Sequence, residues 1–148
     1  MEYIDDESEV AEYTGGFKDD KFHGMGILSL RDGTLFKGEF DYGKKKEGII
    51  KYSNGEEYTG PFKDNKREGY GIMKYNSGEQ YCGDFVADVK EGKGILTIME
   101  TVINGVWKND QLMMGQHKQE DGVYFGSFDD KMRPNGKGIF SYENGEIY

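Results

Sequence analysis

The sequence predicts an all-β protein, a thin ribbon of tandem β-hairpins running as one long antiparallel meander. Three observations carry that prediction. One pattern (aromatic-x-Gly-x-aromatic, a polar stretch, then Gly-x-Gly) recurs with starts at 13, 36, 58, 81, 103 and 124, and Tyr148 stands where a seventh copy would begin. The starts lie 21–24 residues apart, too close for a copy to hold a helix besides two strands. Turn-forming pairs (Asp32-Gly33, Asn54-Gly55, Ser77-Gly78, Asp121-Gly122 and Asn144-Gly145) separate one copy from the next, and Asn-Gly and Asp-Gly are strong local hairpin signals.

Within each copy the first strand is set by alternation. Tyr13, Gly15 and Phe17 share one face because successive side chains point to opposite faces. Tyr58, Gly60 and Phe62, then Tyr81, Gly83 and Phe85, then Tyr124, Gly126 and Phe128 repeat the arrangement. The second copy has Phe36, Gly38 and Phe40, and the fifth has Ile103, Gly105 and Trp107. The central glycine leaves room for rings to lie over bare backbone. The second strand is expected to open at the second glycine of Gly-x-Gly. It brings Leu28 and Leu30, Ile50 and Tyr52, Met73 and Tyr75, Leu96 and Ile98, Phe140 and Tyr142. An isoleucine follows that glycine in five copies (Ile27, Ile49, Ile72, Ile95, Ile139), so this strand is apolar on parts of both faces. One hairpin is marginal alone, so stability must come from stacked neighbours.

The segments 18–25, 41–47, 63–70, 86–93, 108–114 and 129–137 read as long loops along one edge, and the Asn-Gly and Asp-Gly pairs read as type I′ turns along the other. Copies two and five lack the first glycine of Gly-x-Gly, and copy four lacks its closing glycine. In copy five Ile103 replaces the aromatic, and Gln116-His117-Lys118-Gln119 is polar throughout, so 98–122 is expected to bulge, bend or loop. Pro61 lies mid-strand and cannot donate a ladder hydrogen bond, which points to a local bulge.

A chain of 148 residues fits one domain with a moderate core. Its 35 % hydrophobic content is low, while 23 glycines, 11 tyrosines and 9 phenylalanines point to rings on backbone rather than a Leu/Val core. The single cysteine, Cys82, excludes an internal disulfide or a zinc ribbon and suits a reducing compartment. No apolar run approaches the roughly 18 residues of a membrane-spanning helix. Residues 1–12 lack the basic and apolar regions of a secretory signal. They carry six acids (Glu2, Asp5, Asp6, Glu7, Glu9, Glu12) and no Lys or Arg, so they read as a solvated, disordered leader. Of the net charge of −9, that leaves −3 on the repeat region, residues 13–148. The acidic balance disfavours nucleic acid.

Sites of chemistry are hard to find. Gly24-Met25-Gly26, Gly69-Tyr70-Gly71, Gly92-Lys93-Gly94 and Gly136-Lys137-Gly138 precede strands rather than helices, so they are hairpin glycines and not a nucleotide loop. His23 and His117 lie in different copies without metal-ligand spacing. Residues 129–136 lack the alternating acids of a calcium loop. No catalytic residue, metal or cofactor is expected, and the chain is read as non-enzymatic.

These copies resemble the MORN (membrane occupation and recognition nexus) repeat family, most fully over residues 13–33 and 58–78 and in weaker form over 13–148. The resemblance implies a twisted single-layer sheet with a grooved aromatic face. It also implies a scaffold or adaptor, cytoplasmic and associated with a cytoskeletal, ciliary or axonemal assembly. A single layer cannot cover half its aromatics with a second layer, and apolar surface of that kind marks a partner site. The candidates are Tyr13, Phe17, Phe36, Phe40, Tyr58, Phe62, Tyr81, Phe85, Trp107, Tyr124 and Phe128, receiving a helix or an extended peptide. Taken one by one, each ring is as readily a core ring covered by its neighbours. Lys44, Lys45, Lys46, Lys66 and Arg67 on the loop edge offer an alternative, a peripheral phospholipid or acidic-partner edge. The opposite edge is acidic, with Asp32, Glu56, Glu57, Glu79, Glu100, Glu120, Asp121, Glu143 and Glu146 against Arg31. A third reading is the targeting region of a larger enzyme, since similar repeats precede some lysine methyltransferases and lipid kinases and the chain stops at the opening of a copy. Open ribbon ends leave strand-to-strand homodimerisation available.

Overall fold

The computed structural model describes residues 9–148 and shows one open antiparallel sheet with no α-helix among them. Its strands are β1 (Val10–Lys18), β2 (Lys21–Leu30), β3 (Leu35–Asp41), β4 (Lys44–Lys51), β5 (Glu57–Lys63), β6 (Lys66–Arg67), β7 (Gly69–Lys74), β8 (Gln80–Val86), β9 (Val89–Ile98), β10 (Thr101–Lys108), β11 (Gln111–Gln119), β12 (Gly122–Phe128) and β13 (Pro134–Tyr142). Neighbours in sequence are neighbours in the sheet, and β6 and β7 are two parts of one strand that both pair with β5. Their interruption at Glu68 lies opposite Pro61, whose carbonyl accepts the Glu68 N–H at 3.1 Å. The irregularity expected from that proline is therefore present. After β13, Tyr148 exchanges both backbone hydrogen bonds with Phe140 at 2.9 Å, so the chain turns back as the seventh opening implied. The expected leader overlaps the sheet, because residues 10–12 belong to β1. Residues 1–8 lie outside the described residues.

The turn chemistry differs from the sequence reading. The sixth predicted loop, 129–137, keeps a loop at its start, closed by the Met132 N–H to the Asp129 carbonyl and the Asp129 N–H to the Arg133 carbonyl, whereas at the other five the chain makes two-residue turns, with both residues at positive φ: Asp19 and Asp20, Tyr42 and Gly43, Asp64 and Asn65, Ala87 and Asp88, Asn109 and Asp110. These are the type I′ turns. The second strand of each such copy starts at once, well before Gly-x-Gly, and a register shift such as that between Gly83 and Phe85 absorbs the extra residue. At Gly33, Gly55 and Gly78 only the glycine has positive φ. The Gly33 N–H donates to the Leu30 carbonyl and the Leu30 N–H to the Thr34 carbonyl, a type I turn closed by a glycine bulge. Asx side chains explain the exchange. Asn65, Asp88 and Asp110 tolerate the left-handed conformation. Each also accepts a backbone N–H from the preceding copy: that of Lys45 (2.9 Å), Arg67 (2.8 Å) and Lys90 (2.8 Å), respectively. Alanine has no such side chain, so Ala87→Asn should raise stability by about 0.5–1 kcal/mol in a denaturation titration.

The region 98–122, expected to bulge, bend or loop, forms a hairpin like its neighbours, with a register shift between Val106 and Trp107. Asn104-Gly105 pairs regularly with Ile95 and Gly94 on one side and with Gln116 and Gly115 on the other. Polar side chains did not prevent pairing there: Gln116 shares the outer face with Asn104, His117 lies opposite Ile103, and Ile103 and Trp107 are buried on the ladder face.

A glycine from almost every strand meets a glycine of the next, as in Gly15–Gly26–Gly38–Gly48–Gly60 and Gly71–Gly83–Gly94–Gly105–Gly115–Gly126–Gly138. The rings lie on this bare stripe: a Cβ at Gly60 would come within 2.6 Å of the Tyr58 hydroxyl. Each first-position tyrosine also donates to the carbonyl three residues on, where the strand departs from regular pairing. Tyr13 donates to Gly16 (2.8 Å), Tyr58 to Pro61 (2.9 Å), Tyr81 to Asp84 (3.1 Å) and Tyr124 to Ser127 (2.9 Å). Tyr58→Phe should therefore cost about 1 kcal/mol with the fold retained. Burial pushes the Tyr58 and Tyr81 phenols well above their ordinary 10.0. With the folded value raised, their contribution is intact below pH 10.0 and is lost as pH rises beyond it. Alkaline titration should thus show unfolding accompanied by late phenolate absorbance.

Candidate functional site

The two faces of the sheet divide the apolar residues between them. On the first face the aromatic ladder is continuous. Within a copy the rings meet edge to face, as in Tyr58–Phe62 (5.2 Å, 85°) and Tyr81–Phe85 (5.3 Å, 89°). Between copies Tyr13–Phe40, Phe36–Phe62, Tyr58–Phe85 and Tyr81–Trp107 continue the same geometry at 5.2–5.5 Å. Such pairs contribute about 0.5–1.5 kcal/mol each beyond area burial. The ladder of rings reaches from Tyr13 to Trp107. Ile103 stands where the next ring would be, and Tyr124–Phe128 form a separate pair.

Of the eleven rings expected to meet a partner, Phe36, Phe40, Tyr58, Phe62, Tyr81, Phe85 and Trp107 are buried, with Tyr58 and Tyr81 at 0 % exposure. They are the core, each covered by its neighbours and by backbone glycine, and have almost no surface to present. Tyr13, Tyr124 and Phe128 are half-buried, while Phe17 is 65 % exposed. What this face presents beside the ladder is a flank of half-buried second-strand residues, including Leu30, Tyr52, Tyr75 and Ile98. Burial pushes the Tyr75 phenol up to about 12, with Arg67 pulling the other way.

Cations lie against the ladder at the ninth position after each start in copies two to four. The Lys45 ammonium is 5.8 Å from the Phe36 ring centre. The Arg67 guanidinium is 5.9 Å from Tyr58 and 5.2 Å from Phe85. Lys90 is 5.4 Å from Tyr75, 5.5 Å from Tyr81 and 4.6 Å from Trp107. Phe22 takes the place in copy one, stacked on Tyr13 at 3.8 Å, and Leu112 in copy five. Burial lowers the Lys90 ammonium below its usual value, against the pull of Asp110 and Glu79.

The five basic residues expected to form one loop edge are therefore split. Lys45 is 7 % exposed, and Arg67 is held by Asp88 through Nε–Oδ1 at 3.1 Å and Nη2 to the Asp88 carbonyl at 2.7 Å. Lys44 pairs with Asp64 at 2.6 Å and Lys46 with Glu39 at 2.8 Å, while Lys66 is exposed. The cause is alternation: the predicted loop is strand, so consecutive lysines point to opposite faces. His23 accepts the Tyr42 N–H at 3.3 Å, and His117 Nδ1 lies 3.2 Å from the Val102 carbonyl.

The second face carries the exposed apolar surface. One row of cross-strand partners runs across the sheet: Ile27, Lys37, Ile49, Thr59, Ile72, Cys82, Ile95, Asn104, Gln116, Phe125 and Ile139. Tyr70, 63 % exposed, and Val106 and Met114 form part of a second row. Over β7–β12 these residues enclose a shallow cleft of about 410 Å³ lined by Tyr70, Cys82, Ile95, Val106, Met114 and Phe125. Cys82 there is half-buried and accepts from Gln80 Nε2 at 3.3 Å. The isoleucine that follows Gly-x-Gly is the sequence signal for this surface.

The family model of the MORN repeat matches residues 13–35, 58–80, 81–98 and 133–147, more than half of the chain. It passes over copies two and five, which lack the first glycine of Gly-x-Gly yet form the same hairpin. No curated protein matches the chain.

Proposed function

The chain belongs to the MORN-repeat family, and from that premise we propose that it is a scaffold that holds a segment of a partner protein, helical or extended, along its ladder face. MORN repeats are generally non-catalytic and are compatible with scaffold or membrane-binding roles. The observation that carries the protein-binding reading is the continuity of the ladder. One rigid aromatic spine from Tyr13 to Trp107 presents the same flank of Tyr52, Tyr75 and the stacked cations in successive copies. A repeating surface suits a linear partner. A cytoskeletal, ciliary or axonemal assembly in the cytoplasm is the setting this reading expects. Membrane tethering fits less well, because the basic residues of the loop edge are divided between faces and partly paired.

The test is site-specific photo-crosslinking in native extract, with the photo-reactive residue at Tyr75 on the ladder face or at Tyr70 on the other. A single protein segment captured at Tyr75 supports the reading. Capture at Tyr70 alone transfers the site to the cleft face, and capture at neither overturns the scaffold.

A further inference from the structure

We propose that the ladder face receives an acidic, extended protein segment whose carboxylates pair with Lys90 and Arg67. This deepens the scaffold reading and rests on it.

The Lys90 ammonium is half-buried over three rings, and no carboxylate lies within ion-pair distance of it among the described residues. An ammonium carries three donors and no acceptor, and a partly desolvated cation gains most from a charged acceptor. The Asp110 side chain is committed to the Lys90 backbone N–H at 2.8 Å. Arg67 spends Nε and Nη2 on Asp88, whereas its Nη1 meets the sulfur of buried Met73 at 3.5 Å, a weak acceptor for one of its two hydrogens.

Lys90 and Arg67 hold the same place in adjacent copies, two strands apart, which is about 9.5 Å across a sheet. An extended segment in the polyproline II conformation, laid across the strands, advances about 3.1 Å per residue with three residues per turn, so a carboxylate at every third residue stays on one side and keeps step with the cations. A single lipid headgroup is too compact to match that interval, since its charges are gathered on one small group. Asp88, between the cations, and Asp110, beyond Lys90, oppose the denser charge of a nucleic acid.

The experiment uses fluorescence polarisation with the whole chain and a labelled Glu-Pro-Thr repeat peptide. A peptide of identical composition with its glutamates in one block is the comparison. Tighter binding of the spaced peptide is expected. Lys90→Gln should weaken it about tenfold, the scale expected on losing one partner of a desolvated pair. Lys90→Arg should retain binding, and Lys93→Gln, on the other face, should leave it unchanged. Circular dichroism melting confirms that each variant is folded. Equal binding of the two peptides, or unchanged affinity in Lys90→Gln, overturns the proposal. So does uptake of the chain by phosphatidylserine vesicles, abolished in Lys90→Gln, without peptide binding. A non-acidic segment captured at Tyr75 would overturn this assignment while leaving the scaffold intact.

Discussion

Tyr81→Ala is expected to lower the unfolding free energy by about 3–5 kcal/mol, the range for truncating a fully buried ring. Tyr81 has 0 % exposure. Its ring meets Phe85 and Trp107 edge to face, lies beneath Lys90, and covers Gly83 and Gly94, while its hydroxyl satisfies the Asp84 carbonyl. No second layer can move in to fill the space, so relaxation is limited to neighbouring rings. Urea titration followed by circular dichroism measures the loss. In a ribbon whose copies contact only neighbours, the break should also uncouple copies one to three from the rest and broaden the transition. A loss below about 1 kcal/mol would show that the ladder is not the core. The same arithmetic means that alanine at Phe40, Phe62 or Phe85 reports on folding before it reports on binding.

Gly94→Ala should cost about 1–3 kcal/mol although it adds a single methyl group. A Cβ at Gly94 would fall within contact distance of the Tyr81 ring and hydroxyl, and the ring is pinned by its own partners. Ile95, the next residue, points to the other face and is 40 % exposed, so Ile95→Ala should cost much less. The decisive measurement is the double variant. If the methyl group acts through the ring, Tyr81→Ala should remove most of the penalty of Gly94→Ala, a coupling that denaturation of all four proteins would reveal. Additive losses would mean that the glycine matters for the backbone alone.

The repeat, its hairpins and the aromatic face were legible because they rest on local rules: period-two alternation, glycine beneath a ring, and turn residues between copies. Tyr58, Gly60 and Phe62 declare their face by spacing alone. The turns were misassigned because both edges carry Asx residues, and which turn takes which geometry depends on register. Asp88 takes positive φ while clamping Arg67 in the preceding copy, a contact 21 residues away that local composition cannot register.

Accessibility was the part hidden from the sequence. The sequence by itself determined the fold class and the family, since each copy repeats the same short-range constraints. Only the tertiary structure decided which rings are core and which residues meet solvent. Burial of Tyr58 depends on Phe62 in its own copy, Phe85 in the next and Arg67 laid over both. Lys45 is buried and Lys44 exposed because a predicted loop is strand. Exposure is a property of many side chains packed together, and it is set by register between copies rather than by the residues within any one of them.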